Sequence, residues 1–186
     1  MSSDPPTMLD TIWGNIFRNQ KKNSDQIIDA LRAVPLFQSL SDSELSTLEK
    51  IVHLRHYAIG EPIFNEGDPS FGLYIVKTGI VHICHQMQDR RLKVHAVLTA
   101  GDFFGEAGII DDAPRSASAI ACSPTEAIGF FKADLMDLIS QKPQLGSKII
   151  FGIAKVLSAR LRYTHEELSK LLLKNQMEAE TMLHDP

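Results

Sequence analysis

Cysteine is scarce in this chain of 186 residues: only Cys84 and Cys122 occur. Two thiols cannot build a disulfide framework, so a reducing compartment, the cytoplasm, is the expected location. Positive charge is not in excess either. The 19 Lys and Arg stand against 23 Asp and Glu, for a net charge of -4. Direct nucleic-acid binding usually shows a basic patch, so this balance argues against it. No apolar run reaches the roughly 18 residues that a membrane-crossing helix needs. The opening MSSDPPTMLD lacks the basic and apolar regions of a secretory signal. What is present is 44% hydrophobic residues, enough for one well-buried domain with appendages.

Hydrophobic periodicity divides the chain into three stretches. In the first, Leu9, Ile12, Trp13, Ile16 and Phe17 recur at helical spacing. A second helix is expected to start at an N-cap, Ser24, and to stop before Pro35. A third opens with Ser41-Asp42-Ser43-Glu44, the spacing of a capping box. Near residue 54 the period changes. IFNEG, LYIVKTG, IVHICHQ, LKVHAVL and finally AIGFF are short apolar runs. They are separated by turn signals at Gly60, Asn65–Pro69, Thr78-Gly79, Gln88-Asp89 and Ala100–Asp102. That spacing suits a small antiparallel sandwich or barrel. The helical period then returns at 133–141 and in a long helix from Pro143. In the latter Ile150, Ala154, Leu157, Leu161, Thr164, Leu168 and Leu171 step by three and four, as in a coiled-coil seam. The organisation expected is a helical extension over 1–30, a β domain over 31–142 and a long helix over 143–186.

One segment between strands is unlike the rest: FGEAGIIDDAPRSASA, residues 104–119. It holds a lone Arg115 and three carboxylates, of which Glu106 is framed by glycines; Pro114 precedes the Arg and small residues follow it. The composition fits a wrap around a small ligand. Arg115 would meet its negative group with a charge-assisted fork, and Glu106 would accept from its hydroxyls. Gly105 lets backbone approach closely, and the amides after it suit an anion at the start of a short helix.

Helices, a β-barrel with this segment, and a long helix together resemble a cyclic nucleotide-binding domain. LRAVPLFQSLSDSEL at 31–45 looks like that family's entry helices. GEPIFNEGDPSFGLYIVKTGIVHI at 60–83 is similar to its strands, and FGE followed by PR and small residues looks like its phosphate-binding cassette. The resemblance implies an α+β fold: a β-roll, antiparallel, barrel-closed and jelly-roll-like, flanked by N-terminal helices and a long C-terminal helix. It implies a non-catalytic sensor with cAMP or cGMP as ligand, cAMP favoured, and no metal. Glu106 would hold the ribose 2′-hydroxyl and Arg115 the cyclic phosphate, with Ser116 at the phosphate or a guanine base. Phe104, Gly105, Ala107, Ala117, Ile83 and His95 complete the expected contacts. Arg160, on the long helix, would cap the base. Ala107-Gly108 departs from the bulkier pair often seen there, which leaves the wall beside the ribose looser.

The partners implied are a homodimer mate on the long helix and an effector protein. Alternatives are a scaffold module without ligand, a transcription-regulator-like module, or the regulatory piece of a larger enzyme. Locally, Arg115 pairing with Asp111 or Asp112, and Glu106 as a helix cap, are the plain readings to set against ligand roles. His82, Cys84 and His85 do not read as a metal site: on a strand, two face one way and one the other.

Overall fold

The computed structural model describes residues 23–87 and 91–183, with side chains as far as 174. The apolar stripe at 9–17 and the turn expected at Gln88-Asp89 lie outside the described residues. Helix α1 runs through 23–33. Ser24 therefore lies inside it and is not its N-cap. A 3₁₀ turn at Pro35–Phe37 follows, then α2 at Asp42–Glu49. The capping box forms in full: the Ser41 hydroxyl accepts from the Glu44 amide and the Glu44 carboxylate accepts from the Ser41 amide.

Eight strands follow: β1 His53–Tyr57, β2 Pro62–Phe64, β3 Gly72–Thr78, β4 Val81–Gln86, β5 Leu92–Leu98, β6 Phe103–Phe104, β7 Ser118–Ala121 and β8 Thr125–Phe131. They pair antiparallel into two sheets, in the orders β1-β8-β3-β6 and β2-β7-β4-β5. Three turns share one local device. The Ala58, Asn65 and Thr99 amides each donate to a carboxylate three residues on: Glu61, Asp68 and Asp102. Such side-chain bonds are why acidic residues favour turns.

The sheet carrying β3 and β8 is buried on both faces, and period-2 alternation assigns each side chain. Leu73, Ile75, Ile128 and Phe130 join Leu31, Leu36, Phe37, Leu48 and Leu135 in a core under the helices. Val76, with Val81, Phe104 and Ala119, fills the space between the sheets. Double burial explains why LYIV reads as an unbroken apolar run. After β8 come α3 at Lys132–Gln141 and α4 at Pro143–Leu183, with Pro143 at its start. Leu145, Ile149 and Ile153 bury the first turns of α4 in the helical core. Lys148 ties α4 to the Glu44 carboxylate of α2 at 2.8 Å. Beyond Leu157 the stripe is uncovered: Leu161 is 71% exposed, and Leu168 and Leu171 are exposed too.

Candidate functional site

The segment between β6 and β7 wraps one end of the space between the sheets. Gly105 turns the chain with φ 74°, a conformation that disfavours any side chain. A Cβ there would stand 2.5 Å from Arg115 Nη1. Glu106–Ile109 then form a 3₁₀ turn. Its Gly108 packs on Ser70 so closely that a Cβ would collide with the Ser70 hydroxyl. The small Ala107-Gly108 pair therefore matches a tight backbone approach as well as a looser wall.

Arg115 is pinned through its backbone. Its amide donates to the Asp68 carbonyl at 2.9 Å, and its carbonyl accepts from the Gly67 amide at 2.8 Å. The side chain lies inward, the residue being 7% exposed. Nη1 donates to the Gly105 carbonyl at 3.0 Å and Nη2 to the Gly72 carbonyl at 2.8 Å. The guanidinium sits over the Phe64 ring, 4.0 Å from its centre. Nε is buried without a partner. Desolvation pushes the Arg115 pKa down, opposed by Tyr74, Glu106 and Asp68. A guanidinium nevertheless stays charged at physiological pH.

The plain reading of Arg115 fails on geometry. Among the described residues it makes no ion pair. Asp112 takes Lys132 at 2.7 Å, and Asp111 accepts from the Ala113 amide at 3.3 Å. A buried cation lacking a counter-charge is costly, and an anion placed beside it recovers that cost.

Glu106, also 7% exposed, is met from above by α4. Arg160 Nη1 pairs with Glu106 Oε1, and Nη2 donates to the Phe103 carbonyl at 3.2 Å. The Arg160 guanidinium lies 4.9 Å over the Phe103 ring. A carboxylate offers about four acceptor positions, so Glu106 can hold Arg160 and still accept from a hydroxyl.

These groups enclose a cavity of about 500 Å³. Phe104, Gly105, Glu106, Ala107, Arg115, Ser116, Ala117, Ile83 and Arg160 all line it. His95 is not among the described lining residues. The β4–β5 register slips between Ile83 and Cys84, leaving Ile83 opposite Ala96. Ala96 lines the cavity, whereas His95 is the extra residue at the slip and is exposed, its ring 4.6 Å from that of His85. The wall also includes Phe64, Ser70, Leu98 and Phe103, which the cassette motif does not mark. Phe64 was hard to foresee because β2 shifts register between Pro62 and Phe64. A simple alternation along IFNEG does not say which residue faces in.

A two-sheet roll with an uncompensated arginine and a carboxylate in one ligand-sized cavity defines a small-molecule binding module. Residues 54–142 match the family model of the cyclic nucleotide-binding domain. The Cyclic AMP receptor protein of Thermus thermophilus is 33% identical over 141 residues, 76% of this chain and 63% of the relative. A cAMP-dependent protein kinase regulatory subunit of Colletotrichum orbiculare is 32% identical over 111 residues, 60% of this chain and 28% of the relative. Among solved structures, the Thermus thermophilus catabolite activator protein superposes with TM-score 0.66 at 34% identity, over 74% of this chain and 62% of that one. A cyclic nucleotide-binding domain from Methylobacillus flagellatus KT gives TM-score 0.69 at 27% identity, over 80% and 84%. Residues 54–142 belong to the cyclic nucleotide-binding domain family. The chain spans less than two thirds of the length of these curated relatives.

Proposed function

We propose that the chain is a non-catalytic cytoplasmic sensor that binds a purine 3′,5′-cyclic nucleotide, cAMP in preference to cGMP. The observation that carries this reading is Arg115, a buried guanidinium at the cavity wall with carbonyl acceptors, no carboxylate partner among the described residues and an Nε without a partner. A cyclic phosphodiester brings the single negative charge that such a site lacks. Glu106 takes the ribose 2′-hydroxyl on the edge not used by Arg160. Ser116 adds a hydroxyl beside the phosphate.

The preference for adenine follows from how Arg160 is engaged. Its Nη groups serve Glu106 and the Phe103 carbonyl and hold the guanidinium over the Phe103 ring, so only its remaining N–H donors are left to turn towards guanine O6 and N7. Stacking on a purine face needs no spare donor. The names of the relatives, a cyclic AMP receptor and a cAMP-dependent kinase regulatory subunit, support the same ligand. The expected difference between the purines is about one hydrogen bond, of order 1 kcal/mol, or less than tenfold.

Signalling runs through α4. Arg160 couples the ribose-binding carboxylate to that helix, so occupancy of the cavity and the position of α4 are thermodynamically linked. The output is delivered as the geometry of a homodimer built on α4, or directly to an effector protein. A second reading, the regulatory part of a larger protein, is favoured by a relative of very different length. The chain covers 20% of a Bradyrhizobium diazoefficiens protein named Glutaminase 1, at 34% identity.

Calorimetric titration with cAMP, cGMP and cyclic di-GMP tests the reading. Binding of cAMP at least as tight as cGMP is expected. A cGMP preference above about a hundredfold, roughly 2.7 kcal/mol, would overturn the base assignment. No binding of any cyclic nucleotide would overturn the function.

A further inference from the structure

We infer that Phe64 is a positioning residue for the anion-binding arginine: its ring face orients the Arg115 guanidinium and offsets part of the cost of burying it. The inference rests on the reading of Arg115 as the phosphate ligand, but the stacking itself does not.

Three observations converge on Phe64. Arg115 Cζ lies 4.0 Å from the Phe64 ring centre, well within the range at which a ring face attracts a cation. The two Nη groups are held in the guanidinium plane by the Gly105 and Gly72 carbonyls. Two in-plane bonds leave rotation about their common line, and a ring against one face removes it. The guanidinium is thus held at a fixed angle at the cavity wall, and its Nε is the one buried polar side-chain atom among the described residues that lacks a partner.

The ring is itself held. Phe64 meets Tyr74 at 5.9 Å and Phe104 at 5.8 Å between centres, and Tyr74 stacks on Phe104 at 5.7 Å and 20°. These three rings come from β2, β3 and β6, so elements of both sheets brace one face of the arginine. The electrostatics require such a brace. Carbonyl dipoles compensate a buried cation only in part, and among the described residues no carboxylate stands within ion-pair reach. The negative face of an aromatic ring supplies the remainder without neutralising the charge that the ligand must find. A carboxylate in its place would stabilise the arginine and compete with the phosphate.

The test replaces Phe64 by mono-, di- and trifluorophenylalanine, which keep the ring's shape while draining its face of negative potential. Two readouts are taken on the full chain: the Kd for cAMP, and the Arg115 Hε resonance without ligand. Affinity should fall stepwise along the series, to a total of about 3- to 30-fold. The Hε resonance should carry a ring-current shift that disappears in Phe64→Leu. A flat affinity series overturns the positioning role, because loss of packing alone does not track ring electrostatics. An Hε resonance identical in wild type and Phe64→Leu overturns the stacking. Failure of wild type to bind any cyclic nucleotide would sink the functional reading, while the resonance still decides the contact.

Discussion

A guanidinium that is 7% exposed and unpaired is unusual, because burying an uncompensated charge costs several kcal/mol. At Arg115 that cost is the specificity of the site. Truncation to Ala removes the cation proposed to meet the phosphate and relieves the fold of a buried charge. Arg115→Ala is therefore expected to lose about 2–5 kcal/mol of cyclic nucleotide affinity, measured by calorimetry, with thermal stability unchanged or raised. Near-wild-type affinity would remove Arg115 from the phosphate role. Glu106→Gln should cost less. The amide keeps one acceptor oxygen for the ribose but loses its charge attraction to Arg160. Equal losses in the two variants would mean that the ribose contact matters as much as the phosphate contact. At this scale the sequence was informative because rare residue types stood out. One Arg and one glycine-framed Glu announce themselves by chemistry. Phe64 and Phe103 do not, since a phenylalanine in a strand reads as core until its neighbour is known.

Elements with local signals were legible, and elements defined by their partners were not. The capping box at Ser41 is a four-residue code, and it forms as spelled. AIGFF lies within β8, and the run from Ala133 lies within α3. β7, by contrast, consists of Ser118–Ala121 and begins in the last two residues of the segment read only as a ligand wrap. Serine and alanine have little strand preference. They are used because β7 lies between β2 and β4, with Ala119 and Ala121 fully buried, where larger side chains have no room. The cap at α2 also has a measurable consequence. Ser41→Ala should lower stability by about 0.5–2 kcal/mol in chemical denaturation. Its partner Glu44 is held below the ordinary carboxylate range, first by the Lys148 hydrogen bond and then by the Ser41 amide. A depressed folded-state pKa means that Glu44 contributes fully above its unfolded pKa, about 4.3, and loses that contribution as pH falls through the folded value. The stability gap between wild type and Glu44→Gln should accordingly be open at neutral pH and close in acid. A gap that is constant down to strongly acid pH would exclude the carboxylate as its source.

For the molecule as a whole, the decisive feature is the division of α4. Its first turns, through Leu145, Ile149 and Ile153, are domain core, and Arg160 closes the cavity. Past that point the same step of three and four continues as Leu161, Thr164, Leu168 and Leu171, with nothing of the described chain against it. A helix held at one end only gains little from propensity alone, and most helical stability in proteins comes from packing an apolar face. The sequence showed a single seam; in the structure Ile150 and Leu157 pack in part on the chain's own helical core, while Ala154, Leu161, Thr164, Leu168 and Leu171 are exposed. We therefore place the homodimer contact on the second half, C-terminal to Arg160, so that a shift of α4 at Glu106 changes the angle at which two such halves meet. Light scattering should find a dimer in wild type and a monomer in the Leu168→Glu, Leu171→Glu variant, because two carboxylates in the seam are desolvated without partners. Both positions lie more than one turn beyond Arg160, so cyclic nucleotide affinity should survive in the monomer within about tenfold if binding and association are linked by a modest coupling energy. A wild type that stays monomeric at high micromolar concentration would rule out the seam, and would turn the exposed leucines into a surface for the effector instead.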